Sequence, residues 1–396
     1  MTTDRPPGLA LAELDTVELT VEKLVAGGDG LGRVDSVPVF VPRSAPGDRL
    51  LVRIVERKPD YGRGEILEIL EPGPGRRKAP CPYFDRCGGC DLQHLEDRKQ
   101  VELKAAAARE TLRRIGGIEL PSDTEIVAGS MWGYRLRTQL HTTTMDETVR
   151  VGYFARGSKE LVPIRSCPIL APELEELLPE LPARLGADPP RRLDLLSGED
   201  GISCAPVTGD LPHGEVILSV GEFDYLLDAR CFFQAHVGLV ERLVEEAVGD
   251  WEGDEVADLY AGVGLFTLPL ARRYRRVIAV EGDRIAARYG RKNLRRHRLG
   301  NARFETQAVE SWVGEISGEL DRVVVDPPRR GLPGEVREAL LEAEPERITY
   351  VSCHPATLAR DLEALVTGYG LESVRLLDLF PQSGHMEIVA QLSRRA

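Results

Sequence analysis

Between Thr16 and Glu71 the apolar residues come in short runs broken by Gly and Pro: Val17 to Leu24, Val37 to Val41, Leu50 to Val55 and Gly64 to Leu70. Runs of this length, rich in β-branched residues and bounded by turn formers, predict a small β-barrel. Its turns fall at Gly27-Gly28-Asp29-Gly30 and Pro46-Gly47-Asp48, and Glu71-Pro72-Gly73-Pro74-Gly75 reads as a linker before basic Arg76-Arg77-Lys78. A helix is expected from about Leu95 to Ile115, ended by Gly116-Gly117. Arg135 to Thr143, Val149 to Phe154 and Val216 to Val220 suggest a second β-containing region, interrupted by a helical stretch around Pro172 to Leu185. From Phe233 onward strand-like and helical runs alternate, which is the signature of a doubly wound parallel sheet. Three domains are therefore expected: a barrel at 1–75, a central domain at 76–232 and a Rossmann-like α/β domain at 233–396.

Within the last domain, Asp254 to Ala271 reads as a strand, a glycine turn at Gly262 and Gly264, and a helix. The glycines let the backbone approach a ligand closely. Glu281 ends the next strand, Val277 to Val280, at a position suited to bonding ribose hydroxyls. The turn lacks a third Gly or Ala to cradle a pyrophosphate, and Asp258 ends the first strand. Both details favour S-adenosylmethionine over a dinucleotide. A glycine turn in isolation has a plainer alternative, that it does no more than pack helix on strand.

Two further apolar runs end in reactive groups. Val323-Val324-Val325 leads into Asp326-Pro327-Pro328-Arg329, where the prolines disfavour helix and remove backbone donors, leaving carbonyls and a carboxylate facing the crevice. Methylases of exocyclic amines carry an aromatic residue after the second proline. Arg329 stands there instead, which points to a chemistry with another activator. Cys353 ends the run from Ile348. A thiolate adding at carbon 6 of uracil makes the inert carbon 5 nucleophilic, so Cys353 is the candidate nucleophile. The hydrogen on carbon 5 must then be removed, and Glu387 is the candidate base. Read alone, a strand-end cysteine is a small buried hydrophobe, as expected for Cys204 and Cys231, and Glu387 is a surface carboxylate or helix partner.

The net charge of −13 excludes a wholly basic surface, so any nucleic-acid contact must be local. Arg272, Arg273, Arg275 and Arg276 form one cluster, and Arg291, Lys292, Arg295, Arg296 and Arg298 another, each of which could equally be a solvated helix face. No apolar run approaches the roughly 20 residues that span a bilayer, and the first residues lack a signal core, so the cytoplasm is the expected location. Seven cysteines without a secretory signal argue against a disulfide framework. Cys81-x5-Cys87-x2-Cys90 with Cys167 downstream supplies four soft ligands. The spacing favours a [4Fe-4S] cluster; zinc would also accept four thiolates. Methyl transfer needs no electrons, so such a cluster would support folding or RNA contact.

Together, the four-cysteine pattern, Phe232-Phe233-Gln234, Asp258-Leu259-Tyr260, Asp326-Pro327-Pro328-Arg329, Ser352-Cys353-His354-Pro355 and His385-Met386-Glu387 resemble the RNA uracil-5-methyltransferase family, in particular its iron–sulfur ribosomal RNA branch. The resemblance spans nearly the whole chain. It implies Cys353 as nucleophile, Glu387 as base, and Gln234, Tyr260, Glu281 and Asp326 around S-adenosylmethionine. It also implies a [4Fe-4S] cluster on Cys81, Cys87, Cys90 and Cys167, and an N-terminal OB-like barrel of the TRAM type that binds RNA. His236 stands where asparagine is common and Leu265 where a polar residue is frequent, which bears on fine cofactor contacts. The implied product is 5-methyluridine in 23S ribosomal RNA, with a transfer RNA uridine as the alternative and no obligate protein partner. An iron–sulfur RNA-binding protein with a decayed methylase core is the competing class, which the intact Asp326, Cys353 and Glu387 disfavour.

Overall fold

The structure, a computed structural model, describes residues 15–121, 124–316 and 320–395. It divides into two compact units, one running to Glu110 and including Pro381–His385, the other comprising Thr111–Phe380 and Met386–Ala396.

In the first unit, β1 (Thr16–Leu24), β2 (Gly30–Val34), β3 (Val37–Val41), β4 (Arg49–Arg57) and β5 (Gly62–Glu71) close a barrel in the order β1-β2-β3-β5-β4. Alternate residues, among them Leu19, Val21, Val39, Leu50, Val52 and Ile54, fill it. The interior is tight: a Cβ on Gly64 would lie 2.2 Å from Val52 Cγ1. β2 begins on Gly30, the last residue of the expected turn. Gly32 is there for close approach, since its Cβ would meet the Thr20 carbonyl oxygen at 2.6 Å. The expected linker is also tied down. Asp48, fully buried, accepts from Gly73 N at 2.7 Å, Ala45 N at 2.6 Å and the Arg76 guanidinium at 2.5 Å. Burial alone would raise its carboxyl, but Arg76 and the two amides outweigh that and hold it below the usual range. α1 (Asp97–Gly116) contains the boundary between the units.

The second unit begins with β6 (Ile126–Ala128), followed by β7 (Arg137–Met145), β8 (Thr148–Phe154), β9 (Leu161–Pro163), β10 (Arg192–Gly198) and β11 (Gly201–Ala205), which form a sheet in the order β11-β10-β7-β8-β9. The expected helical stretch is two short helices, α2 (Pro172–Leu177) and α3 (Leu181–Arg184). A hairpin of β12 (Val216–Val220) and β13 (Phe223–Leu227) leads to α4 (Val240–Val248).

Strands and helices then alternate: β14 (Gly253–Leu259), α5 (Thr267–Arg273), β15 (Tyr274–Val280), α6 (Arg284–Arg296), β16 (Ala302–Glu305), α7 (Val309–Trp312), β17 (Arg322–Val325), α8 (Gly334–Ala343), β18 (Arg347–Ser352), α9 (Pro355–Leu365), β19 (Tyr369–Asp378) and β20 (Glu387–Arg394). With β6 they build an eight-stranded sheet, β16-β15-β14-β17-β18-β20-β19-β6. β16 to β18 run parallel, as the alternation predicts. β20 departs from that expectation, pairing antiparallel with both β18 and β19. The strand order reverses at β14, so a crevice opens between the carboxyl ends of β14 and β17. Among the described residues no helix is long and apolar enough to cross a membrane.

Candidate active site

The parallel ladder aligns the strand ends. Leu259 is level with Val280 and with Val325, and Val325 with Tyr350. The residues one step beyond, Tyr260, Glu281 and Asp326, therefore share one edge of the sheet, and β18 runs two residues further, to Ser352, before Cys353. Glu387 reaches that edge by the opposite route. Because β20 is antiparallel, its first residue lies where the parallel strands finish. The last ladder pair is Ser352 with Ile388, and one step further in the same register sets Cys353 opposite Glu387.

On the cofactor side, Gly262 and Gly264 differ in role. Gly262 has φ +56° and a Cβ there would meet nothing within 4 Å, whereas one on Gly264 would lie 2.9 Å from Leu268 Cδ1. The first leaves open space and the second allows the α5 turn to pack. Tyr260 also takes a left-handed conformation, φ +64°, which costs energy for a side chain with a Cβ. Its buried hydroxyl and Asp258 Oδ1 have no hydrogen-bond partner among the described residues. Glu281 accepts from Gly262 N at 2.8 Å and from Asp283 N at 2.6 Å, so it clamps the turn and keeps a lone pair on each oxygen. Gln234, 4% exposed, donates to Asp326 Oδ2 at 3.3 Å.

Three acids crowd the crevice. Burial pushes Asp258 up to about 7, against its bond from the Thr267 hydroxyl. Burial and the charge of Asp258 push Asp326 up to about 7 as well, against the Gln234 bond. Glu387, 2% exposed, is raised well above the usual carboxylate range by burial and by Asp326, with Arg329 opposing. The Cys353 thiol is pushed up to about 11, first by burial and then by Glu387 and Asp326; Arg329 opposes through its charge and a hydrogen bond. Arg329 was legible only as an aromatic that is missing, and its place as the cation acting on both Cys353 and Glu387 needed the fold. His354 is engaged elsewhere. Its ring accepts from Thr357 N at 3.3 Å, capping α9, and burial with Arg329 and Arg360 holds its pKa below the usual value.

His236 is fully buried, with Nε2 3.0 Å from the Ser130 carbonyl and its ring stacked on Tyr134 at 4.8 Å. Leu265 is 8% exposed and its carbonyl accepts from the Tyr225 hydroxyl at 2.9 Å. Cys204 and Cys231 are buried, with thiols pushed up by burial to about 11 and about 12, as expected of inert hydrophobes. The Phe232-Phe233 pair splits: Phe233 is 3% exposed and Phe232 63%. Cys81, Cys87 and Cys90 lie in the first unit and Cys167 in the second. Gly89 N points at Cys87 Sγ from 3.4 Å. No three Cys, His, Asp or Glu side chains among the described residues are gathered closely enough to hold a metal ion.

An open sheet with an order reversal and an acid ending its second strand is the architecture of a nucleoside-cofactor site. Residues 215–395 match the family described as tRNA (Uracil-5-)-methyltransferase, and residues 13–67 match the TRAM domain. The chain is 35% identical to a 23S rRNA (uracil(1939)-C(5))-methyltransferase RlmD of Pectobacterium atrosepticum, over 94% of this chain and 92% of that one. It is 33% identical to an uncharacterised RNA methyltransferase of Synechocystis, over 94% of each. Its fold is similar to the crystal structure of Pyrococcus abyssi tRNA (uracil-54, C5)-methyltransferase with S-adenosyl-L-homocysteine: TM-score 0.73, 26% identity, 94% of this chain and 100% of that one. The chain belongs to the RNA uracil-5-methyltransferase family, S-adenosylmethionine-dependent enzymes with a Rossmann-like catalytic fold, here joined to an N-terminal TRAM barrel.

Proposed function

We propose that this enzyme methylates carbon 5 of a uridine in 23S ribosomal RNA through a covalent bond between Cys353 and carbon 6 of the ring. The observation carrying this reading is the register that sets Cys353 opposite Glu387, with Asp326 and Arg329 acting on both. The thiolate of Cys353 adds to carbon 6, and the electron pair of the C5–C6 bond moves to O4 as an enolate. S-adenosylmethionine, when bound, would supply an electrophilic methyl group, which carbon 5 takes as the methyl–sulfur bond breaks and S-adenosylhomocysteine leaves with that electron pair. The Glu387 carboxylate then accepts the carbon 5 proton, the C5–C6 double bond re-forms, and the Cys353 sulfur leaves as thiolate. Arg329 is placed to stabilise that thiolate on both occasions.

Gln234, Tyr260, Glu281 and Asp326 form the cofactor side of the crevice. Glu281 is suited to the ribose hydroxyls, and the Tyr260 hydroxyl, with no hydrogen-bond partner among the described residues, is suited to a ligand atom. A buried uracil must leave its stack to meet Cys353, and exposed Phe232, two residues before Gln234, suits a base face. The cytoplasm is the place of action that such a substrate implies.

The ribosomal substrate is favoured by the 35% identical relative, and a transfer RNA uridine by the name of the similar fold. Methylation of purified transfer RNA alone would reverse that preference. The [4Fe-4S] cluster on Cys81, Cys87, Cys90 and Cys167 rests on cysteine spacing and on thiolate chemistry, to which the Gly89 N–H directed at Cys87 Sγ is suited. Anaerobic analysis should find iron and acid-labile sulfide; zinc without sulfide would replace the assignment.

The covalent route is tested with RNA carrying 5-fluorouridine, because fluorine cannot leave as a proton does. Wild type with cofactor should give a band shift that survives denaturation, and Cys353→Ala should give none. Glu387→Gln should accumulate the adduct even on ordinary RNA. An enzyme that methylates RNA yet never forms a trapped adduct rejects the role of Cys353.

A further inference from the structure

We infer that α6 carries a second RNA contact, a track of arginines that holds substrate phosphates outside the target nucleotide; the inference rests on the RNA-methylation reading above. Arg284, Arg288, Arg291, Arg295 and Arg298 recur at intervals of four, three, four and three residues. At about 100° per residue these positions fall on one face of α6 and the turn after it. Arg284, Arg288, Arg295 and Arg298 are exposed. None of the five has a carboxylate partner among the described residues. Arg291 bonds the neutral Thr306 hydroxyl at 2.6 Å, and Arg288 lies over the Tyr289 ring at 5.2 Å.

The neighbouring cations are treated differently. On the same helix Lys292 pairs with Glu215 and Arg296 with Asp224. Arg272, Arg273, Arg275 and Arg276 face Glu222, Asp250, Asp254 and Glu255. A chain with 64 acidic and 51 basic residues has carboxylates to spare. Leaving a row of guanidiniums unneutralised at helical spacing opposes the helix through like-charge repulsion, and a polyanionic ligand would reverse that penalty.

The surroundings suit a nucleotide strand. Arg291, Arg295 and Arg298 line a groove of about 570 Å³ together with Leu294, Phe304 and Arg303, the last of which pairs with Glu305. Cationic rims can take phosphates while an apolar floor takes sugar or base faces. The row also has a direction. Arg284 stands three residues after Glu281, at the edge where the candidate site lies, and the helix carries the row back toward the start of β16. From Arg284 to Arg298 this is about 21 Å at 1.5 Å per residue, enough for several consecutive phosphates.

The test is binding of purified 23S ribosomal RNA by the full chain without cofactor, measured across a potassium chloride series. In the triple variant Arg288→Gln, Arg295→Gln, Arg298→Gln, the slope of log affinity against log salt should fall in magnitude by about 2, and low-salt affinity by at least about tenfold. The melting temperature checks that the variant folds. Lysine at the same three positions should restore both quantities, because phosphates need charge there. Equal slope and affinity in the glutamine variant overturns the proposal and leaves the row to another polyanion, such as an acidic protein segment. Binding is read without turnover, so a failure of the methylation mechanism and a failure of the arginine track give different results.

Discussion

Strand β17 is four residues long and has a charge at each end, and the two are treated in opposite ways. At its start Arg322 is fully buried. It donates to the carbonyls of Ala247 and Val248 and to Thr349 Oγ1, and its guanidinium lies 4.4 Å from the Trp251 ring centre. Burial lowers its pKa to about 10, so it stays charged at neutral pH. Just past the other end, Asp326 has a 3.3 Å bond from Gln234, a neighbouring acid in Asp258, and a pKa raised to about 7. A charge buried with its bonds complete belongs to the fold. A carboxyl buried or half-buried with its bonds incomplete marks a place where a ligand is to complete them. Asp361 follows the first pattern, accepting from Leu332 N, Arg337 and the Tyr350 hydroxyl. Asp258, with Oδ1 unpartnered among the described residues, follows the second.

The largest effect that would break this contrast is on stability. Arg322→Ala strands the carbonyls of Ala247 and Val248 and opens a cavity beside Trp251. It should cost about 3–5 kcal/mol in denaturant unfolding, while methylation per folded molecule is kept. A variant as stable as wild type would mean that a satisfied buried charge does not distinguish structure from site here.

The same contrast explains what could be read from the chain. Parallel strands covered on both faces appear as unbroken apolar runs, so Val323 to Val325 and the run ending at Cys353 showed where the strands stop and the chemistry begins. Gln234, Tyr260, Glu281, Asp326, Cys353 and Glu387 were all named from sequence, though partly through family resemblance. Glu387 could be named but not placed, because nothing local in His385-Met386-Glu387 signals that β20 enters antiparallel. Arg329 escaped for a related reason: a side chain's charge partners across a sheet edge depend on register. Gly30, expected as the end of a turn, opens β2, and Gly73, expected in a linker, is tied to the buried Asp48, since close packing and flexible punctuation use the same residues.

A smaller effect sharpens the comparison at Asp326. Asp326→Asn keeps the shape and the Gln234 contact but removes the charge that opposes ionisation of Glu387 and Cys353. Because Asp326 is also proposed to line the cofactor side, where a small misplacement is felt strongly, turnover should nonetheless fall on the order of 10²-fold, while stability moves the other way. The folded pKa of about 7 lies above the ordinary carboxylate value near 3.9. Below about pH 4 the group is protonated in both folded and unfolded chains, and burying it carries no ionisation penalty. As pH rises toward 7 the unfolded chain releases the proton while the folded one retains it, so this contribution to stability is lost. Cofactor-free wild type should therefore fall further in stability than Asp326→Asn between pH 4 and 7, and the two curves should run parallel above about pH 8. Parallel curves throughout would mean that Asp326 is ionised and satisfied in the empty site, and that the difference between the two ends of β17 is one of geometry alone.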